Sequence, residues 1–432
     1  MPSRHDARAI WDAAVRAALP EPLVAKFFAN DPVAEAIRRA PRVIVVGAGK
    51  AGPGMATGLE RALANRLEGL VNVPEGMGAT LERIRLHAAR PQGVNEPTPD
   101  GVVGAEEMLR LLGSAGPDDV AVCLLSGGGS ALLPAPAHGI SLEEKLAVTQ
   151  LLARSGATID EMNCVRKHLS RIKGGRLAEA FRGKLLVSLI ISDVVGDPLD
   201  VIASGPTAPD PTTFAEAVAA IERFGLRGRV PSAVLQHLLR GSNGECPETP
   251  KAVSSAVANR VIGSNRVSLD AASREAESRG YSVLDLGSFI EGETQQVATA
   301  MAGIVRSIRR DRLPLAPPAC LLLGGETTVT LGDRSGKGGR NQEFVLAMLA
   351  KLGGDGMRGI TILSGGTDGE DGPTDAAGAM ADAETPTRAA GLSIQDHLRR
   401  HDAYPFFEAT GDLIRCGLTG TNAMDVRVIL LT

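Results

Sequence analysis

Ala121-Val-Cys-Leu-Leu125-Ser126-Gly127-Gly128-Gly129-Ser130 reads as a buried strand that runs into a glycine turn. An apolar run of this length suits a parallel strand covered on both faces, and the backbone N–H groups of such a turn can face an anion. A second stretch, Ile360-Thr-Ile-Leu363-Ser364-Gly365-Gly366-Thr367-Asp368-Gly369-Glu370-Asp371-Gly372, repeats Ser-Gly-Gly in the other half of the chain. Its turn carries carboxylates, whereas the first has none. The pair predicts one half fitted to phosphate or another oxyanion and one half that holds a cation against it.

Working outward, strand and helix alternate on both sides of these turns. Residues Asp6–Ala40 are alanine-rich with helical spacing, and Pro41 ends the run. The strand Val43-Ile-Val-Val46 opens into Gly47-Ala-Gly49-Lys50-Ala-Gly52 and a helix. Leu70–Val73, Val120–Leu125 and Leu185–Ile191 are further apolar strands with helical segments between them. This rhythm belongs to a doubly wound parallel sheet. The stretch Gly241–Pro250 reads as a surface linker. The expectation is therefore an α/β, two-domain chain: a Rossmann-like domain over residues 1–245 and a second α/β domain over 246–432, which ends on the strand Val426–Leu431.

The bulk numbers narrow the function classes. The chain has 432 residues, too many for one ordinary core. A net charge of −4 without any basic block argues against nucleic acid as a partner, and 3% aromatic residues leave few stacking platforms. There is no apolar leader and no run long enough to span a bilayer, so no membrane partner is expected and the location expected is cytoplasmic. Five scattered cysteines, with no C-x-x-C pair, predict reduced thiols rather than disulfides or zinc. Oligomeric state is not readable from these features.

Several segments carry side chains suited to chemistry. Gly47-x-Gly49-x-x-Gly52 after a strand has the form of a dinucleotide fingerprint, but the acidic residue expected after the next strand is represented only by Glu75. Lys50 at a helix start adds a full charge to the helix dipole and favours an anion, the alternative being a tight turn with a solvated lysine. The basic stretch Glu161–Leu177 sets Arg166 and Lys173 toward an anion, or forms a solvated face. Asp193, at the end of the Leu185–Ile191 strand, is placed to hold Mg²⁺ or accept a hydroxyl proton. Gly324-Gly-Glu326-Thr-Thr and Gly338-Gly-Arg340-Asn341-Gln342-Glu343 bring a guanidinium and two amides to a helix start. Asp368, Glu370, Asp371 and Asp375 offer the hard oxygens that Mg²⁺ prefers, although some of them will simply cap turns.

Taken in order, the Gly47–Lys50 turn, Ser126–Ser130, Asn163–Arg176, Ser192-Asp193-Val-Val-Gly-Asp197-Pro198 and Ala203-Ser-Gly-Pro206-Thr resemble the class II glycerate kinases. Gly324-Gly-Glu326, Gly338-Gly-Arg340-Asn-Gln-Glu343, Thr367-Asp368-Gly-x-Asp371-Gly and Gly417-x-Thr419-Gly-Thr-Asn422-x-x-Asp425 extend the resemblance over nearly the whole chain. The family carries a C-terminal MOFRL-type α/β domain. The resemblance implies ATP-dependent phosphorylation of D-glycerate to 2-phosphoglycerate with Mg²⁺, in a cleft between the two domains. It places Lys50 and Arg340 in catalysis. Phosphoryl transfer needs positioning and charge neutralisation more than covalent chemistry. On that footing Lys50 and Arg340 meet the phosphates, Asp193 with Asp368 or Asp371 takes Mg²⁺, and one carboxylate accepts the hydroxyl proton. Gly47, Gly49, Ser126, Gly127, Gly128, Gly129, Ser130, Lys173, Glu326, Asn341 and Gln342 complete the expected nucleotide and substrate contacts.

Two other functions use the same residues. Family members also carry the name hydroxypyruvate reductase, and Gly47–Gly52 fits a nicotinamide cofactor in form. The missing ribose acid and the lack of a partnered hydride-transfer histidine weigh against it. A non-catalytic sensor of an acidic metabolite would need only the anion-binding half.

Overall fold

The computed structural model of the chain describes residues 4–63, 66–91, 93–332 and 336–432, excepting the side chain of Asp355. Two compact α/β units form, one from Pro20–Ile262 and one from Gly263–Thr432 together with Met1–Leu19.

In the first unit, β1 (Val43–Ala48), β2 (Leu67–Pro74), β3 (Ile84–Arg90), β4 (Val120–Leu125), β5 (Leu185–Ile191) and β6 (Val257–Gly263) form one sheet. Their order is β3-β2-β1-β4-β5-β6, and β3 through β5 pair in parallel. Every residue of β1 and β4 is buried, as strands with helices on both faces must be. This is the doubly wound order, with its reversal between β1 and β4. The outer strand β3 escapes a reading from sequence because it has no apolar run: its middle residues reach solvent. Helices Leu142–Arg154, Ile159–His168, Phe214–Arg223 and Ser232–Ser242 enclose a separate core of Val148, Leu152, Val165, Phe214, Ile221 and Leu238.

The second unit is a mixed sheet. Its strands are β7 (Ser282–Asp285), β8 (Ile290–Glu293), β9 (Ala319–Thr328), β10 (Ile360–Gly366), β11 (Gly378–Ala381), β12 (Leu413–Ile414) and β13 (Asp425–Leu431). The order is β12-β11-β10-β13-β9-β7, with β8 also on β9. The C-terminal strand β13 lies between β10 and β9, antiparallel to both. Side chains alternate across it. Val426, Val428 and Leu430 join Trp11, Ala14, Leu269 and Ala272 on one face. Ile429 and Leu431 join Phe344, Val345 and Met348 on the other. Asp425 and Arg427 share the register of this second face.

The helical run expected over Asp6–Ala40 divides into Arg4–Ala17, Pro20–Asn30 and Val33–Arg39. A proline disfavours the helical conformation of the residue before it, so Leu19-Pro20 and Asp31-Pro32 are the natural breaks. The first of these helices belongs to the second unit, where Trp11 Nε1 donates to the carbonyl of Gly365 at 3.1 Å.

Candidate active site

The two glycine turns of the first unit meet at the sheet's reversal. Ser126 N–H donates to the Ala48 carbonyl at 3.1 Å, and Lys50 N–H donates to the Gly127 carbonyl at 2.9 Å. Ser126 Oγ accepts from Ala51 N–H at 3.0 Å. Gly49, at φ +149°, makes this closeness possible, because a Cβ there would lie 2.0 Å from Ser126 Oγ. Gly47 pairs with Leu124 inside the sheet. The form of the dinucleotide fingerprint thus serves strand-to-strand contact, and Glu75, beyond β2, is exposed.

Gly128 takes φ +79°, and its Cα faces Arg90 and Lys50: a Cβ there would lie 3.0 Å from Arg90 Nη2 and 3.9 Å from Lys50 Cγ. Arg90, at the end of β3, is buried, its Nε has no partner among the described residues, and burial lowers its pKa. Lys50, Arg90 and Gly127–Gly129 therefore converge at the carboxyl ends of the strands, where doubly wound sheets bind ligands.

Ser130 is held from several sides. Lys173 Nζ donates to its carbonyl and its Oγ, both at 2.9 Å, Arg166 Nη2 donates to Oγ at 2.5 Å, and Ser204 Oγ lies 2.9 Å away. Ala203 and Ser204 adopt φ of +51° and +63°, an uncommon conformation for side chains other than glycine. Lys173 is 1% exposed. Burial, with Arg166, Lys145 and Lys167 nearby, holds its pKa well below the ordinary lysine value. It ties the Ser126–Ser130 turn to the 203–204 turn. Asp193 stands half-buried just beyond β5.

In the second unit the expected residues gather at the start of helix Arg340–Leu352. Both oxygens of Asp371 accept from its first amides, Asn341 N–H at 3.0 Å and Gln342 N–H at 2.8 Å. Burial pushes Asp371 up to about 7 against those two donors. Arg340 is gripped by Asp425, Nε–Oδ2 2.7 Å and Nη2–Oδ1 3.1 Å, while its Nη1 lies 2.7 Å from Glu326. Burial raises the pKa of Glu326 against the pull of Arg340. Asn341 and Gln342 are fully buried. The Asn341 amide donates to Asp425 at 2.9 Å and accepts from Ser364 Oγ at 2.5 Å, and Gln342 Nε2 donates to Thr374 at 3.0 Å. Arg427 backs the cluster, donating to Asp425 at 3.0 Å and Thr327 at 2.8 Å beneath the Phe344 ring. Asp368, half-buried, accepts from Glu370 N–H at 3.1 Å.

The same architecture and sequence recur in known proteins. Residues 6–239 match a domain of unknown function, DUF4147, and residues 319–425 match the MOFRL family. A glycerate 2-kinase of Pyrococcus horikoshii is 40% identical, over 90% of this chain and 88% of the relative. A crystal structure of a glycerate kinase from Thermotoga maritima superposes with a TM-score of 0.89 at 33% identity, covering 99% of each chain. The chain belongs to the MOFRL-containing glycerate kinase family. A relative in Agrobacterium vitis, 42% identical over 99% of this chain and 94% of its own length, is provisionally named hydroxypyruvate reductase.

Three buried basic residues of this glycerate kinase family chain escaped a reading from sequence. Arg90 ends a strand that was not foreseen. Lys145 carries a recognisable signal, since it shares a helix face with Val148 and Leu152 and so places a charge at a core position. Arg427 alternates with the apolar residues of β13, and a charged residue inside a buried strand was visible in Asp425-Val-Arg427-Val.

A family kinase also implies Mg²⁺. Among the described residues no group of three His, Cys, Asp or Glu forms a ready cage. A hard ion carried in on nucleotide phosphates needs only one or two protein carboxylates. Asp193, just beyond β5 in the first unit, and Asp368, just beyond β10 in the second, are half-buried carboxylates at strand ends. Asp371, with both oxygens on helix amides, is committed to capping.

Proposed function

We infer that this chain transfers the γ-phosphoryl group of ATP to the 2-hydroxyl of D-glycerate. The observation that carries the reading is the convergence of the Gly49–Lys50 and Ser126–Ser130 turns, with Arg90, at the β1/β4 reversal. Relatives named glycerate kinase give the chemistry its substrate.

In this reading Lys50, Arg90 and the turn amides take phosphate oxygens, and Lys50 and Arg340 stabilise charge as it moves toward the leaving ADP. Asp425 and Glu326 hold the Arg340 fork in one orientation, so little is lost in ordering it during reaction. The hydroxyl oxygen bonds to the γ-phosphorus as the bond to the β–γ bridging oxygen breaks, and Asp193 accepts the hydroxyl proton. Bound Mg²⁺ would neutralise phosphate charge, with Asp368 as the protein carboxylate that would hold it.

A relative named hydroxypyruvate reductase gives one rival, reduction of hydroxypyruvate by a nicotinamide. Side-by-side assays decide: ADP release from ATP, Mg²⁺ and D-glycerate supports the kinase, and NADH loss with hydroxypyruvate in its absence overturns it. Glycerate binding with neither reaction would leave a sensor.

A further inference from the structure

The first unit encloses three basic side chains that have no carboxylate partner among the described residues. Lys145 is 6% exposed, and its Nζ has no hydrogen-bond partner among the described residues. Arg166 and Lys173 stand close enough to act on it electrostatically. Among the described residues, none of the three is paired with a carboxylate: Arg166 donates to Asn163 at 3.3 Å and to Ser130, and Lys173 to serine hydroxyls and carbonyls. The neighbouring Lys167 shows the contrast, with Asp200 and Asp210 each 3.2 Å from its Nζ. A buried charge is ordinarily paired, and an uncompensated cluster is costly to fold. Burial offsets part of that cost by lowering the pKa of all three, and a bound anion would offset the rest.

We propose that Lys145 and Arg166, with Ser130 hydrogen-bonded to Arg166 and Ser204 to Ser130, form the subsite for the carboxylate of a small hydroxy acid. Arg166 offers a planar fork suited to two carboxylate oxygens, and the serine hydroxyls can meet the acid's own hydroxyls. A monoanion fits better than a phosphate chain. Lys145 is drawn down to about 7 by burial and Arg166, so the cluster's charge at neutral pH is modest. The phosphates have their own donors in Lys50, Arg90 and the glycine turn. This assignment rests on the kinase reading for the identity of the acid, but not for the existence of the subsite.

The test uses the full chain and Lys145→Met, which keeps the stem and removes the charge. Thermal shifts are measured with D-glycerate, glycolate, tartronate, ATP and inorganic phosphate, each alone, and KM values are measured for both kinase substrates. The expected result is a variant that is more heat-stable without ligand, has lost the carboxylate shifts and keeps the ATP shift. Its KM for D-glycerate rises roughly 100-fold with KM for ATP unchanged. A variant that is less stable without ligand and keeps its carboxylate shifts has lost only a structural lysine, which overturns the proposal. Loss of the ATP or phosphate shift instead makes this a phosphate site and also overturns it. Should the wild type fail to phosphorylate glycerate, the kinase reading falls. The subsite then stands if any of the three carboxylates binds in a Lys145-dependent way, and falls if none does.

Discussion

Asp425 holds Arg340 at two points, through Nε at 2.7 Å and Nη2 at 3.1 Å, and is itself 0% exposed. Burial pushes the Asp425 carboxyl up, but Arg340 and Arg427 outweigh it and keep the group below its ordinary pKa. Asp425→Asn would leave a fully buried Arg427 and a half-buried Arg340 without their shared counter-charge. Removing one partner of such a set costs on the order of 3 kcal/mol. Urea denaturation of the variant should show a midpoint lowered accordingly, and an unchanged midpoint would mean the pair contributes nothing.

The sequence made Arg340 legible and left Asp425 as a family echo. Arg340 sits in a local pattern of glycines before a helix, whereas its partner is 85 residues away and is brought close only by the position of β13 between β9 and β10. Lys50 and Ser126 were readable because a glycine turn after a strand is local chemistry. Arg166 and Lys173 share one basic stretch, but Lys145 comes from a separate helix, so their common lack of carboxylate partners among the described residues exists only in the fold. The first sheet was legible from its fully apolar central strands. The antiparallel centre of the second was not, since an apolar run does not state its direction.

Asp371 and Asp368 should separate cleanly. Asp371 caps the helix that carries Arg340, so Asp371→Ala should cost about 1–2 kcal/mol of stability, read in thermal or urea unfolding. Asp368→Ala should leave stability nearly unchanged and raise the Mg²⁺ concentration needed for half-maximal rate. The reverse pattern would exchange their roles.

The hydroxy-acid subsite should show its protonation in KM. Lys145 sits near 7 without ligand, lowered by burial and by Arg166, with Lys173 also facing it and likewise lowered. A bound carboxylate favours the charged amine, so above pH 7 the complex holds more protons than the free protein, and affinity falls as pH rises. KM for D-glycerate should climb by up to about tenfold per pH unit from 7 upward at saturating ATP and Mg²⁺. Lys145→Met should flatten that slope. A flat wild-type profile from pH 7 to 9 would contradict it.

Lys50→Ala and Arg340→Ala should each lower kcat by about 10²–10³, the usual cost of losing one preorganised charge at a transferring group. Steady-state rates at saturating substrates check this. Near wild-type turnover in either variant would remove that residue from the catalytic assignment.

The central claim is transfer of phosphate from ATP to carbon 2 of D-glycerate. Phosphorus and proton NMR of the product, formed by the purified chain with ATP, Mg²⁺ and D-glycerate, tests it directly. The account predicts one 2-phosphoglycerate for each ADP. A product phosphorylated at carbon 3, or no ADP beside oxidation of NADH by hydroxypyruvate, would contradict it.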